Sequence, residues 1–206
     1  SMHREMRAFH KVRFYRTDMQ GVADSLVFAT KDSCLTLYKD PILWNQNQQL
    51  VGEKVCIFFN DSTIERAHII NQALSVEQID STKYNQVSGK EMKSYFRNKQ
   101  MYKTEVIGSV RVVYYPMDAD STLIGMNVSE TSKLDVYLEN QKLEKMVMSP
   151  KSSGTLYPMT QIPAGKDKLD NFVWFDYIRP KNKQDIFNWV PKKVTDQLKK
   201  SVRGPI

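Results

Sequence analysis

The sequence predicts an all-β protein, and three observations carry the prediction. Apolar and polar residues alternate in segments of five to eight residues that are separated by turn-like clusters. The run Glu105-Val106-Ile107-Gly108-Ser109-Val110-Arg111-Val112-Val113-Tyr114-Tyr115 is β-branched and aromatic and reads as strand. The stretch from Val87 to Tyr102 partly recurs from Leu123 to Glu144, so the chain is built from a repeated unit.

In chain order, Phe9 to Tyr15 alternates with period two and predicts an opening strand, closed by a turn at Thr17 to Gly21. Turn-like clusters follow at Lys31 to Ser33, Lys39 to Pro41, Asn45 to Asn47, Asn60 to Ser62, Asn98-Lys99, Pro116 to Ser121, Asn140-Gln141 and Ser149 to Gly154. Two segments, Thr63 to Leu74 and Ser132 to Met148, contain good helix formers and would be helical on propensity alone. The repeat decides otherwise: Tyr137 to Leu143 aligns with Tyr95 to Met101, which leads into the strand above. Both are therefore expected to be hairpins turning at Asn98 and Asn140.

An apolar or polar pair followed by glycine marks each unit, at Gly21, Gly52, Gly89 and Gly125, with spacings of 31, 37 and 36 residues. Four units, none able to bury its apolar face alone, are expected to stack into one continuous sheet structure. The strand before Gly21 then belongs to a partial unit, and the chain reads as a fragment of something longer. The repetitive β domain is expected to span residues 1–178, with 179–206 as a short basic tail, irregular or helical.

After Pro150, prolines at 158 and 163 interrupt the pattern, and Asn171 to Ile178 reads as an apolar strand that caps or closes the sheet. A brief helix in the tail would place Val194, Leu198 and Val202 on one side. Charge is concentrated there too. Of the formal +7, the segment from Arg179 onward holds eight Lys/Arg against two acids, while the rest has 22 basic and 21 acidic side chains. A nearly neutral body argues against nucleic acid as the partner; the tail suits a phosphate-bearing lipid or membrane surface, or plain solvation, and its Phe187 and Trp189 suit an interface.

Cys34 and Cys56 make neither a disulfide framework nor, with His3, His10 and His68, a metal site, and they read as free buried thiols. Asp18, Asp24, Asp32 and Asp40 sit in turn-like surroundings that favour Asp for its backbone hydrogen bonds, so no catalytic residues, metal or cofactor are expected. No apolar run approaches the roughly 20 residues that cross a bilayer.

The segment Gly21-Val22-Ala23-Asp24-Ser25-Leu26-Val27-Phe28, the run Ile107-Gly108-Ser109-Val110-Arg111-Val112, and the stretches from Asp18 through Ile42-Leu43-Trp44 to Tyr177-Ile178-Arg179-Pro180 resemble the OstA/LptA-like lipopolysaccharide-transport family, in particular the OstA-like proteins of Bacteroidetes. The resemblance covers most of the chain. It implies an open, jelly-roll-like stack of antiparallel strands folded into a V and working in the periplasm, its export signal removed. Acyl chains of lipopolysaccharide or another acylated lipid would lie along the apolar interior. It also implies partners among other lipopolysaccharide-transport proteins, or copies of the chain, joined through edge strands. The departures are the absent signal sequence, the truncated first unit and the basic aromatic tail.

Strand alternation gives each unit an inward face. Val55, Ile57 and Phe59 share one, as do Met92, Ser94 and Phe96, and Leu134, Val136 and Leu138. The candidate lipid-binding face is thus Val55, Ile57, Phe59, Met92, Phe96, Leu134, Val136 and Leu138. Met92, Met101, Met126, Met146 and Met148 would make the interior adaptable, although the same pattern suits ordinary core filling. Two functions are open at this level: a carrier of lipopolysaccharide, or a structural module that assembles by adding strands at open sheet edges.

Overall fold

The computed structural model describes residues 4–61 and 63–196, and it is built almost wholly of antiparallel strands. They are β1 (Glu5–Tyr15), β2 (Gln20–Ala29), β3 (Cys34–Tyr38), β4 (Ile42–Asn45), β5 (Gln48–Val51), β6 (Lys54–Asn60), β7 (Thr63–Gln78), β8 (Tyr84–Arg97), β9 (Gln100–Tyr114), β10 (Gly125–Glu139), β11 (Lys142–Ser149) and β12 (Ser153–Pro158). The segments rich in helix formers are strands, as the repeat requires: cross-strand burial outweighs local propensity.

Each long strand serves two leaves. The start of β2 pairs with β4 and its end with β3, so β3 and β4 are the two halves of one bent strand. In the same way β5 and β6 divide the length of β7, and β12 and β11 divide that of β10. The first leaf holds β3, β6, β11 and one half of β1, β2, β7, β8, β9 and β10. The second holds β4, β5, β12 and the other halves. The result is an antiparallel jelly roll whose leaves meet along a line of bends.

The bends have a residue-level cause. Ladder register breaks at Phe9/Val12, Ile70/Ala73, Ser88/Glu91 and Thr131/Lys133. Pairs of consecutive left-handed residues lie at His10-Lys11, Lys39-Asp40, Asn71-Gln72 and Gly108-Ser109, that is, on every second member of the stack. Such pairs turn the strand without ending its pairing. Gly52 and Gly89 occupy the intervening bends; a Cβ on Gly89 would lie 2.6 Å from Val106 Cγ1, so the glycine lets β8 and β9 approach there. Gly21 and Gly125 instead lie in the second leaf, within β2 and at the start of β10.

The turns at the free tips of the first leaf are local in origin. Asn98-Lys99 and Asn140-Gln141 are two-residue loops with φ of 51° and 64°, and 47° and 64°. Left-handed φ at both central residues is what type I′ hairpins need, and Asn tolerates it. A bulge follows at the same place in three hairpins, at Phe58/Phe59, Tyr95/Phe96 and Tyr137/Leu138. The repeat therefore extends to backbone irregularities.

Between the leaves lies the larger core. One rung crosses nine strands through successive cross-strand partners: Ala8, Leu26, Leu37, Val55, Ile69, Met92, Val106, Leu134 and Met148. At about 4.8 Å per strand it is roughly 38 Å long. Leu37, Val55, Ile69, Val106 and Leu134 are wholly buried, and each such aliphatic side chain contributes about 1.5–3 kcal/mol by leaving water.

A second core covers the opposite face of the second leaf. Val22, Ile42, Trp44, Val51, Leu74 and Val76 point outward there and meet Leu169, Val173, Phe175 and Ile178. The segment Asn171 to Ile178 is not the expected strand. It alternates buried and half-buried residues, as an extended chain lying on a sheet does, but backbone groups of this strap are paired with glutamine side chains instead of with a neighbouring strand. A single 3-10 turn ends it at Asp176–Ile178.

One further expectation is corrected. The interval after Ser149 contains the strand β12 up to Pro158; proline is accommodated at its last residue, paired with Gly125, where no further ladder bond is required. Over its described length the basic tail lies against the body. Arg179 donates to Gln20 Oε1 and to Gln46 O, Lys192 Nζ donates to Asp40 O at 3.0 Å, and Lys193 sits over the Tyr177 ring. It forms 3-10 turns at Gln184–Phe187 and Val194–Asp196; Leu198 and Val202 of the expected helix lie outside the described residues.

Candidate functional site

The inter-leaf core is tightly packed over part of its length and open over another part. Toward β2, β4 and β7, side chains including Met19, Leu43, Ile57 and Phe96 leave a gap of only about 10 Å³. Toward β8, β9, β10 and β11 a cavity of about 530 Å³ opens between the leaves. That volume is in the range of small-molecule and lipid-chain sites.

Its two walls differ in chemistry. The first-leaf wall is apolar: Met92, Met101, Val106, Val136, Leu138 and Met146. The second-leaf wall carries a polar row, because Asn45, Gln48, Glu77 and Asn85 are successive cross-strand partners on β4, β5, β7 and β8. Asn47 Nδ2 donates to Glu77 Oε1 at 3.2 Å and Asn85 Nδ2 to Glu77 Oε2 at 3.0 Å, so both carboxylate oxygens are held by carboxamides. Asn85 Oδ1 in turn accepts from Tyr115 N, and Gln48 Nε2 donates to Ser75 Oγ. Burial and the charge of Glu77 push the Tyr114 phenol above its ordinary range, which keeps it neutral. Thr104, which lines the cavity among these apolar residues, shares a 3.0 Å hydrogen bond with Ser94.

The predicted interior face is placed on one side of the first leaf, divided between packed core and open cavity. Met92, Val136 and Leu138 line the cavity. Val55, Ile57, Phe96 and Leu134 are buried in the packed region, and Phe59 packs against it half-buried. Four of the five methionines expected inside are there: Met92, Met101 and Met146 line the cavity, joined by Met117 from the loop between β9 and β10. Met148 packs on the same core, but Met126 is fully buried in the second core beneath the strap. The polar row was missed because Asn45 reads as part of the turn Asn45 to Asn47; the available signal is Gln48, Glu77 and Asn85 at inward strand positions.

Among the described residues no group of three or more His, Cys, Asp or Glu converges as a metal site. Cys34 and Cys56 are free thiols on β3 and β6, half-buried on the outer surface, each within 4 Å of Thr36 Oγ1; burial pushes the Cys34 thiol up. No helix is long and apolar enough to cross a membrane among the described residues.

Comparison with protein-family models and with curated proteins finds no match. Among solved structures, the chain is similar to LptH from Pseudomonas aeruginosa, described as the LptA-homologous periplasmic component of the conserved lipopolysaccharide transport device. That likeness has 14% sequence identity and a TM-score of 0.48, and it covers 64% of this chain and 95% of LptH.

Proposed function

We propose that this chain is a non-catalytic periplasmic carrier of the OstA/LptA-like kind, holding acyl chains of a lipopolysaccharide-class lipid between the leaves of its jelly roll. The observation that carries the reading is the cavity itself: about 530 Å³, between the leaves and walled on one side by Met92, Met101, Val136, Leu138 and Met146. Methionine and unbranched contact surfaces adapt to chains of varied packing. The sequence motifs that resemble lipopolysaccharide-transport proteins supply the lipid class.

The test is site-specific photo-crosslinking to lipopolysaccharide. A photoreactive residue at Leu138 or Met92 is expected to capture lipid, whereas one at Tyr137, on the outer face of the same strand as Leu138, is expected to capture none. Absence of capture from every cavity position would end the reading.

A second reading has its own observation. Among the described residues β1 pairs only with β2, and β11 and β12 only with β10, so both ends of the stack present unpaired edges. Strand addition at those edges would join copies or partner proteins. Proline at Val12 is expected to abolish concentration-dependent assembly; a strict monomer at millimolar concentration would remove this reading.

A further inference from the structure

The entrance of the cavity has two unlike lips. On the first leaf the side chains at the mouth are apolar: Met101, Leu138 and Leu143. Facing them is the polar row of the second leaf, and where the lips approach, a slit is lined by carboxamides from both sides, Asn45, Gln46, Asn47 and Gln48 against Gln100 and Gln141. Carboxamides offer a donor and an acceptor on one planar group and carry no charge. They match a ligand that presents paired hydroxyls.

Charge in the same place points the same way. Among the described residues lining cavity and slit, Lys142 is the single cation, against Glu77 and Asp118. A phosphate in the slit would therefore meet, among the described residues, the Glu77 carboxylate and no cation in a partly enclosed space, where like charges repel more strongly than in water. Nor is Glu77 waiting for a cationic head, since Asn47 and Asn85 already occupy its oxygens.

We propose that the mouth of the cavity, with the slit of about 50 Å³ beside it, receives an uncharged, hydroxyl-rich saccharide: the lipid enters with a sugar at the mouth, its C–H face on the Met101, Leu138 and Leu143 side and its hydroxyl edge reaching the carboxamides of the slit. Any phosphate of the head group stays outside. This rests on the acyl-chain reading above and adds the chemistry of the head.

Calorimetric titration of the full chain with three dioctanoyl lipids tests it: a glucosyl diacylglycerol, phosphatidic acid and diacylglycerol. The glucosyl lipid is expected to bind about tenfold tighter than either other lipid, because a site built to hydrogen-bond hydroxyls discriminates against a ligand lacking them. Gln46→Ala combined with Gln100→Ala, both in the slit and neither in the acyl cavity, is expected to reduce the glucosyl lipid to the affinity of diacylglycerol and leave diacylglycerol itself unmoved. Equal affinities for glucosyl lipid and diacylglycerol overturn the saccharide assignment while the acyl reading stands. Phosphatidic acid binding tightest overturns it as well. Binding of none of the three overturns both. If the double variant fails to fold, the ranking of the three lipids on the unaltered chain still decides.

Discussion

Gln49 Oε1 accepts a hydrogen bond from Phe175 N at 2.7 Å while its Nε2 donates to Val173 O at 3.0 Å. One fully buried carboxamide on β5 thus pairs with the strap as a strand residue would. Gln86 on β8 repeats the arrangement, accepting from Leu169 N and donating to Asp167 O. Gln49 and Gln86 stand three residues before Gly52 and Gly89, so the repeat that builds the sheet also builds the strap's attachment points.

Gln49→Ala leaves Phe175 N and Val173 O without partners in a dry interface. At about 1–3 kcal/mol per unsatisfied buried group, the loss for the two is expected to be roughly 2–6 kcal/mol. Denaturant unfolding measures it, and limited proteolysis is expected to cut the strap first. An unchanged midpoint would mean that the two hydrogen bonds contribute nothing.

Leu134 and Leu138 lie on the same face of β10, but one is in the packed rung and the other on the cavity wall. Leu134→Ala is expected to cost about 2–5 kcal/mol, the usual range for a buried leucine. Leu138→Ala, which enlarges an existing space, is expected to cost under about 1 kcal/mol and to weaken acyl-lipid binding. Urea titration of both variants checks the contrast.

Gly108 has φ of +85°, and a Cβ there would lie 2.7 Å from Lys90 Cβ. Gly108→Ala is expected to destabilise by at least about 1–2 kcal/mol through the left-handed backbone alone. Asn71→Gly, at φ of 58° in the equivalent bend of β7, is expected to be within about 0.5 kcal/mol of neutral. Thermal melts of the two variants distinguish strain at the bend from a general intolerance of change.

The Arg111 guanidinium pairs with Asp170 of the strap at 2.6 Å and holds that carboxyl below its ordinary range. Because the folded value is depressed, the pair's contribution is complete above the ordinary Asp value of about 3.9 and fades as pH falls through the lower folded value. Asp170→Asn is expected to flatten stability in that acidic window and to lower it slightly at neutral pH, since Asp170 is half-exposed and screened. Denaturant midpoints from pH 2 to 7 on both proteins provide the measurement.

Much of this protein was legible in its sequence because its information is local and repeated. Asn98 and Asn140 announce type I′ turns, the alternation of Met92, Ser94 and Phe96 announces an inward face, and the alignment of Tyr137 to Leu143 with Tyr95 to Met101 overrides helix propensity. The strap was read as a strand for a physical reason: Leu169, Asn171, Val173 and Phe175 alternate as a strand does, and alternation reports an extended chain on a surface, not who receives its hydrogen bonds. Met126 was placed inside because residue type carries no sign for which side of a two-sided leaf it faces.

By itself the sequence determined the all-β class, the hairpin turns, the repeated unit and the apolar rung to which Met92 contributes. Each depends on contacts between residues near in sequence or on a period of two. Only the tertiary structure decided that the rung is packed around Val55 and Ile57 but open beside Leu138, that Asn45, Gln48, Glu77 and Asn85 form one polar lip, and that the strap closes a second core. These depend on which strand lies against which, and on how far apart the leaves stand, and no single segment of the chain encodes either distance.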